Sequence, residues 1–195
     1  MELNYSILPK WAKIYTEPIP PTYWIQVAEI LNQYPKSYSL FEIGSGLGDV
    51  LALSRFLGFY KVQGIEQDEL LTETANEKLL NMFDLNNVIL QGKYPVRTPE
   101  VDILLQVNCI YIDDIHNKSD FLKRLVCFYE NAQPKHYLVE VIDSCFKEPS
   151  RVFPDFVRLS EYDMQKAFSG LNIQSFLTYQ YPKNTSTKRL YVISK

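Results

Sequence analysis

Cysteine is scarce in this chain, and its spacing builds no metal or disulfide pattern. Three cysteines stand among 195 residues. Cys109, Cys127 and Cys145 form no CxxC pair, and an odd number leaves one without a mate. All three lie in apolar runs, so they read as core thiols in a reducing cytosol. Basic residues are not in excess either. Twenty Lys and Arg against 23 Asp and Glu give a formal charge of −3, with a pI near 5.5. That balance suggests no large basic surface and weighs against long duplex nucleic acid as a substrate. No apolar run reaches membrane-spanning length, and the aromatic, polar first residues lack the hydrophobic stretch of a signal peptide. A cytoplasmic protein without a membrane partner is the expectation. Internal repeats, low-complexity segments and obvious linkers are also missing. What remains is ordinary for a globular protein, with 46% hydrophobic and 22% charged residues, and the length suffices for one domain with a full core.

Glycine is sparse too, seven in all, yet three of them fall at alternate positions in one short turn. Residues 41–49 read Phe-Glu-Ile-Gly-Ser-Gly-Leu-Gly-Asp. The apolar run before Gly44 suggests a buried strand, and a helical pattern begins at Val50. Glycines at such a turn permit positive φ and let a ligand lie against the backbone, and the helix that follows offers free N–H groups and a positive dipole end. Glu42, at the strand's end, calls for a cationic or hydrogen-bond-donating ligand. The dinucleotide fingerprint Gly-x-Gly-x-x-Gly does not fit, because its third glycine comes one residue early here and Asp49 stands in its place. A second predicted strand, 60–66, ends in Glu66, which lies 18 positions beyond Gly48. An acid at that distance is placed to accept the two hydroxyls of a ribose.

Glu42, Gly44, Gly46, Gly48 and the spaced Glu66 together resemble the first motifs of the class I S-adenosylmethionine-dependent methyltransferases. In that family the glycine turn lies under the methionine part of the cofactor and the leading acid helps fix its amino group. The resemblance implies S-adenosyl-L-methionine as cofactor. It implies binding residues Glu42, Gly44, Ser45, Gly46, Gly48, Glu66, Gln67, Gln91 and Asn108. Where the family often carries an acid after the third strand, this chain has Gly92-Lys93-Tyr94, which leaves Gln91 or a backbone group for the adenine amino group, with Tyr94 either stacking on adenine or packing at the core edge.

The rest of the pattern agrees. Strand-like runs at 38–43, 61–65, 88–90, 102–107, 137–142, 173–179 and 190–193 alternate with helical patterns at 47–57, 68–83, 118–131 and 160–168. Alternation of this kind argues for βαβ units and a parallel sheet. The last two strands, joined by Pro-Lys-Asn-Thr-Ser-Thr, read as a hairpin, which must be antiparallel. The expected fold is α/β, a doubly wound, seven-stranded, mostly parallel sheet with a C-terminal antiparallel hairpin. Residues 1–36 are expected as an N-terminal helical or lid segment and 37–195 as the methyltransferase domain. Trp24, Val27, Ile30 and Leu31 stand at helical spacing and read as packing residues. Tyr5, Trp11 and Tyr15 suit a packing role or a pocket wall equally.

Acceptor chemistry is expected beyond the fourth and fifth strands. Methyl transfer needs alignment above all, and a base only if the attacking atom must lose a proton. Asp113, Asp114 and His116 are the candidate bases, His116 because imidazole titrates near neutral pH. Each also fits a plain loop or cap role. Tyr15, Tyr111 and Arg151 are the candidate acceptor contacts. No metal is expected. Asp113 or Asp114 with Asp143 would offer oxygen ligands, but Asp143-Ser144 stands where catechol-type enzymes carry Asp-Asn. The Asn-Pro-Pro-Tyr signature of amino-methylating nucleic-acid enzymes is absent, since Cys109 and Ile110 follow Asn108. A small-molecule acceptor methylated on N or O is the leading expectation. A protein or peptide acceptor, or a cofactor-binding module without turnover, is the alternative.

Overall fold

The computed structural model describes residues 22–96, 100–110, 112–147, 153–180 and 186–195. The chain forms two compact units, Met1–Val96 and Arg97–Lys195.

In the first unit the elements run α1 (Thr22–Asn32), β1 (Ser39–Ile43), α2 (Asp49–Phe56), β2 (Lys61–Glu66), α3 (Glu69–Phe83) and β3 (Ile89–Gln91). Its strands pair in parallel, β1 with β2 and β2 with β3. A parallel strand covered on both faces needs a continuous apolar run rather than alternation. β1 meets this with Leu40, Phe41 and Ile43 all buried. Helix α1 turns Ile25, Val27, Ala28, Ile30 and Leu31 inward, so the packing role expected of Val27, Ile30 and Leu31 is what the structure shows. Asp68 caps α3 by accepting from Leu71 N at 2.9 Å, which satisfies one orphan donor of the first turn.

In the second unit come β4 (Ile103–Gln106), α4 (Lys118–Ala132), β5 (His136–Asp143), β6 (Arg158–Leu159), α5 (Glu161–Ala167), β7 (Asn172–Gln180) and β8 (Ser186–Ser194). β4 lies parallel to β5, while β8 pairs antiparallel with both β5 and β7. Asn117 caps α4, its Oδ1 accepting from Asp120 N at 2.9 Å. Ser160 and Asp163 cap α5 reciprocally, the capping-box arrangement.

The fold is therefore α/β, mostly parallel, and closed by an antiparallel C-terminal hairpin. The described residues hold eight strands, one more than expected. The additional β6 is two residues long and pairs with Ile142 and Asp143. Arg158 is buried within it. Its guanidinium donates to the Phe146 and Phe153 carbonyls. The cysteines also depart from expectation. Cys127 and Cys145 are exposed and Cys109 is half-buried. An apolar neighbourhood in sequence did not put these thiols in the core, because on a helix or a turn adjacent residues face different ways.

Candidate cofactor site

Beyond the end of β1 the chain turns sharply. The N–H groups of Gly44 and Ser45 both donate to the Ile65 carbonyl, at 2.9 and 3.1 Å, which ties the turn to β2. Its glycines do different work. At Gly46, with φ +49, an added Cβ would meet nothing within 4 Å, so the turn leaves open room there. At Gly48, with φ +70, a Cβ would come within 3.1 Å of Ile89 Cδ1 and 3.3 Å of Ala75 Cβ. Gly48 is needed for packing under α3 and β3, Gly46 for the space above the turn.

Two acids, one near the end of β1 and one at the end of β2, stand at this turn. Glu66 is buried at the end of β2. Its Oε2 accepts from Gly46 N at 2.8 Å and its Oε1 from Asp68 N at 3.0 Å. The acid expected to meet a ribose thus also braces the glycine turn. Glu42 is buried more deeply, at 1% exposure, and its Oε2 has no hydrogen-bond partner among the described residues. Burial pushes its carboxyl well above the usual range, and the charges of Asp49 and Glu66 add to that; Lys78 and the Ser45 hydroxyl oppose it. Lys78 does not neutralise Glu42 by contact, since its Nζ pairs with Asp49 Oδ1 at 2.6 Å. A buried carboxylate oxygen without a hydrogen-bond partner is costly, and the retention of Glu42 Oε2 in that state next to the turn suits a polar or cationic ligand.

Ser45 is buried and its hydroxyl donates to the Glu42 carbonyl at 3.3 Å. Gln67 and Gln91 are both exposed, with Gln91 Nε2 donating to the Gln67 carbonyl at 3.3 Å. Tyr94 is 2% exposed and its ring centroid lies 5.9 Å from that of Phe41. Of its two expected roles, the core-edge aromatic is the observed one. Gly64, which the sequence reading passed over, sits opposite Glu42 in the β1–β2 register. A Cβ there would fall 2.2 Å from Ser45 Oγ and 3.1 Å from the Glu42 carbonyl oxygen. The only signal was a lone glycine inside a strand pattern.

In the second unit, Asn108 follows β4 with φ +54. Its N–H donates to Glu140 Oε2 at 3.1 Å, and its side-chain oxygen accepts from Lys188 Nζ. Glu140, 3% exposed in the middle of β5, also accepts from Thr178 Oγ1 at 2.5 Å, with Lys188 Nζ 3.6 Å away. It is a fully engaged buried carboxylate that holds the β4 end and both hairpin strands. Sequence reasoning missed it, although a single acid within the run Tyr-Leu-Val-Glu-Val-Ile was the available hint. Asp113 and Asp114 are exposed, the latter at φ +62, and Arg124 donates to the Asp113 carbonyl at 3.2 Å. His116 is exposed, one residue before the Asn117 cap. Asp143 is committed elsewhere. It accepts from Arg189 Nε at 2.5 Å and from Cys145 N at 2.7 Å. Burial opposes its ionisation, but those hydrogen bonds outweigh burial and hold its carboxyl below the ordinary value. Tyr15, Tyr111 and Arg151 lie outside the described residues. No group of three or more acidic, histidine or cysteine side chains among the described residues is arranged to hold a metal ion. No helix among them is long and apolar enough to cross a membrane.

Neither a family model nor a curated protein matches this sequence. Solved structures do. Magnesium protoporphyrin IX methyltransferase from Synechocystis PCC 6803, with bound SAM, matches at a TM-score of 0.65 and 12% identity, over 95% of this chain and 89% of that one. An S-adenosylmethionine-dependent methyltransferase from Clostridium acetobutylicum matches at 0.65 and 10%, over 94% and 95%. The methyltransferase domain of a bacterial Hen1 matches at 0.64 and 12%, over 89% and 98%. The fold is that of the class I methyltransferases. At such identities the likeness is one of backbone fold.

Proposed function

We propose that this chain is a methyltransferase that takes its methyl group from S-adenosyl-L-methionine and passes it to an N or O atom of a small-molecule acceptor. The observation that carries the reading is Glu42 Oε2, buried and unpartnered, beside a glycine turn that leaves the space at Gly46 open. A buried carboxylate oxygen without a partner, next to an open glycine turn, fits a ligand with an ammonium group. Glu42 receives that group, and Gly46 gives the methionine portion room against the backbone. Glu66 holds the turn, and each of its oxygens keeps a further lone pair for ribose hydroxyls. Gln67 and Gln91 offer amide groups at the exposed strand ends, and Asn108 is held in place by Glu140 and Lys188. When bound, the cofactor supplies a methyl group already activated on a sulfonium sulfur. The remaining task of the protein is alignment, a large part of the barrier in such reactions. His116, with Asp113 or Asp114, is the proposed proton acceptor for acceptors that must lose one. Tyr15, Tyr111 and Arg151 are the proposed acceptor contacts.

An RNA acceptor is the second reading. It is favoured by the likeness to Hen1, a protein also solved in an RNA repair complex that this chain matches at a TM-score of 0.56 and 11% identity, and is opposed by the net charge of −3. Titration calorimetry with S-adenosylmethionine and, separately, NADH tests the cofactor. Micromolar binding of the first alone is expected, and binding of neither overturns the proposal. Methyl transfer from labelled cofactor to small-molecule pools against total RNA then separates the two acceptor classes. His116→Ala is expected to slow transfer while sparing cofactor affinity; wild-type turnover would return His116 to a plain loop role.

A further inference from the structure

Two features on the surface remain without a role. The first is a groove of about 660 Å³ between α4 and α5. Leu122, Val126 and Ala167 form its apolar lining, and Tyr162 stands beside them at 71% exposure. Lys118, Lys123 and Lys166 rim it. Two acids, Glu130 and Asp163, also reach the groove, but the Asp163 carboxylate is taken up by Ser160 and by Lys118 at 3.1 Å. Lys166 has no ion pair among the described residues. Lys123 has only Asp120 at 3.3 Å, with both side chains well exposed, an arrangement worth little and easily exchanged.

The second feature is the outer face of α3. Leu70 there is 71% exposed and Leu80 is 42% exposed. Leu70 and Tyr162 are the two most exposed large hydrophobic side chains among the described residues. Around Leu70 stand Glu69, Glu73 and Glu77, all exposed, and none forms an ion pair among the described residues. Their spacing of four puts like charges on one helix face, which weakens an isolated helix slightly. The helix dipole favours Glu69 in the first turn, but Glu73 and Glu77 beside an exposed leucine are unfavourable for the free helix. The arrangement becomes favourable when a basic, apolar surface covers it.

We propose that the α4–α5 groove is a docking surface for a second copy of this chain, which inserts the acidic, leucine-bearing face of its α3. The apolar parts match, Leu70 of one copy against Leu122, Val126 and Tyr162 of the other. The charges match as well, Glu69, Glu73 and Glu77 against Lys123 and Lys166. Burial of the leucine and tyrosine supplies the affinity, and the rim charges set the orientation and choice of partner. Because the two faces differ, the contact is of the heterologous kind.

Sedimentation velocity from micromolar to near-millimolar concentration, in low and high salt, tests this. Concentration-dependent association that weakens with salt is expected. The double variant Lys123→Glu/Lys166→Glu should weaken it about a hundredfold or more, as should Glu73→Lys/Glu77→Lys. Mixing the two variants should restore association, because the reversed groove of one then faces the reversed helix of the other. Leu70→Asp and Tyr162→Asp serve if a charge variant loses its native circular dichroism spectrum. A chain that stays monomeric throughout overturns the proposal and leaves the groove to a foreign partner. Association indifferent to these substitutions, or unrestored by mixing, overturns it equally.

Discussion

Replacing Gly64 with alanine tests whether the glycine turn is held against β2 as tightly as the structure indicates. The backbone at Gly64 is extended, so the expected effect is steric. The new Cβ would fall 2.2 Å from Ser45 Oγ, 3.0 Å from Leu51 Cδ1 and 3.1 Å from the Glu42 carbonyl oxygen. The hydroxyl can swing away, at the loss of its hydrogen bond to the Glu42 carbonyl, about 1 kcal/mol. The carbonyl is backbone and cannot. Overpacking of this kind costs about 1–3 kcal/mol, and the backbone contact places Gly64→Ala near the upper end. For a chain of this length each kcal/mol moves the melting temperature by about 2–4 °C, so a fall of roughly 5–10 °C is expected in a thermal melt. Ser45→Ala alone should cost about 1 kcal/mol. The double variant should recover part of the loss, with a coupling near 1 kcal/mol, because one steric conflict is removed while Leu51 and the Glu42 carbonyl remain. An alanine variant that melts with the wild type, or a double variant whose losses simply add, would refute the close contact of β1, the turn and β2.

Other substitutions probe the two acids and the cradle. Glu42→Gln should stabilise the cofactor-free protein at neutral pH by about 1–3 kcal/mol, since it removes a buried, unpartnered acid, while weakening cofactor binding. In the wild type the Glu42 carboxyl is raised in the folded state. Its contribution is fully present below the unfolded value near 4.5 and is lost as pH rises through the folded value. Melts at stepped pH should show that loss in the wild type and not in Glu42→Gln; parallel curves would count against a buried, unpaired Glu42. Glu140→Ala leaves Thr178 Oγ1 and the Asn108 N–H without their acceptor and removes the buried counter-charge of Lys188, and should cost about 3–5 kcal/mol in denaturant unfolding; a loss below 1 kcal/mol would show that Glu140 is not fully engaged. Gly46→Val should abolish S-adenosylmethionine binding in calorimetry by filling the open space and straining a backbone at φ +49; undiminished affinity would move the cofactor elsewhere.

Much of this protein was readable from its residues alone, and the readable parts share a cause. The glycine turn, the alternation of strand and helix and the antiparallel hairpin depend on residues a few positions apart. Backbone conformation and hydrophobic periodicity suffice to reveal such features. Glu42 and Glu66 were legible as strand-end acids for the same reason. Contacts between distant residues were not. Nothing near Gly64 in sequence announces that it must face Glu42 and clear Ser45 Oγ, because that follows from the β1–β2 register. Nothing in Phe-Glu-Ile-Gly shows that Lys78 is occupied by Asp49, which is what leaves Glu42 without a neutralising contact. The burial of Tyr94 and Arg158, the exposure of Cys127 and Cys145, and the engagement of Glu140 with three elements were likewise settled by packing. Local sequence determined which elements form and where a ligand-binding turn belongs. Tertiary structure alone decided which polar groups are satisfied, because a buried group's partners come from whatever strand or helix the fold brings beside it.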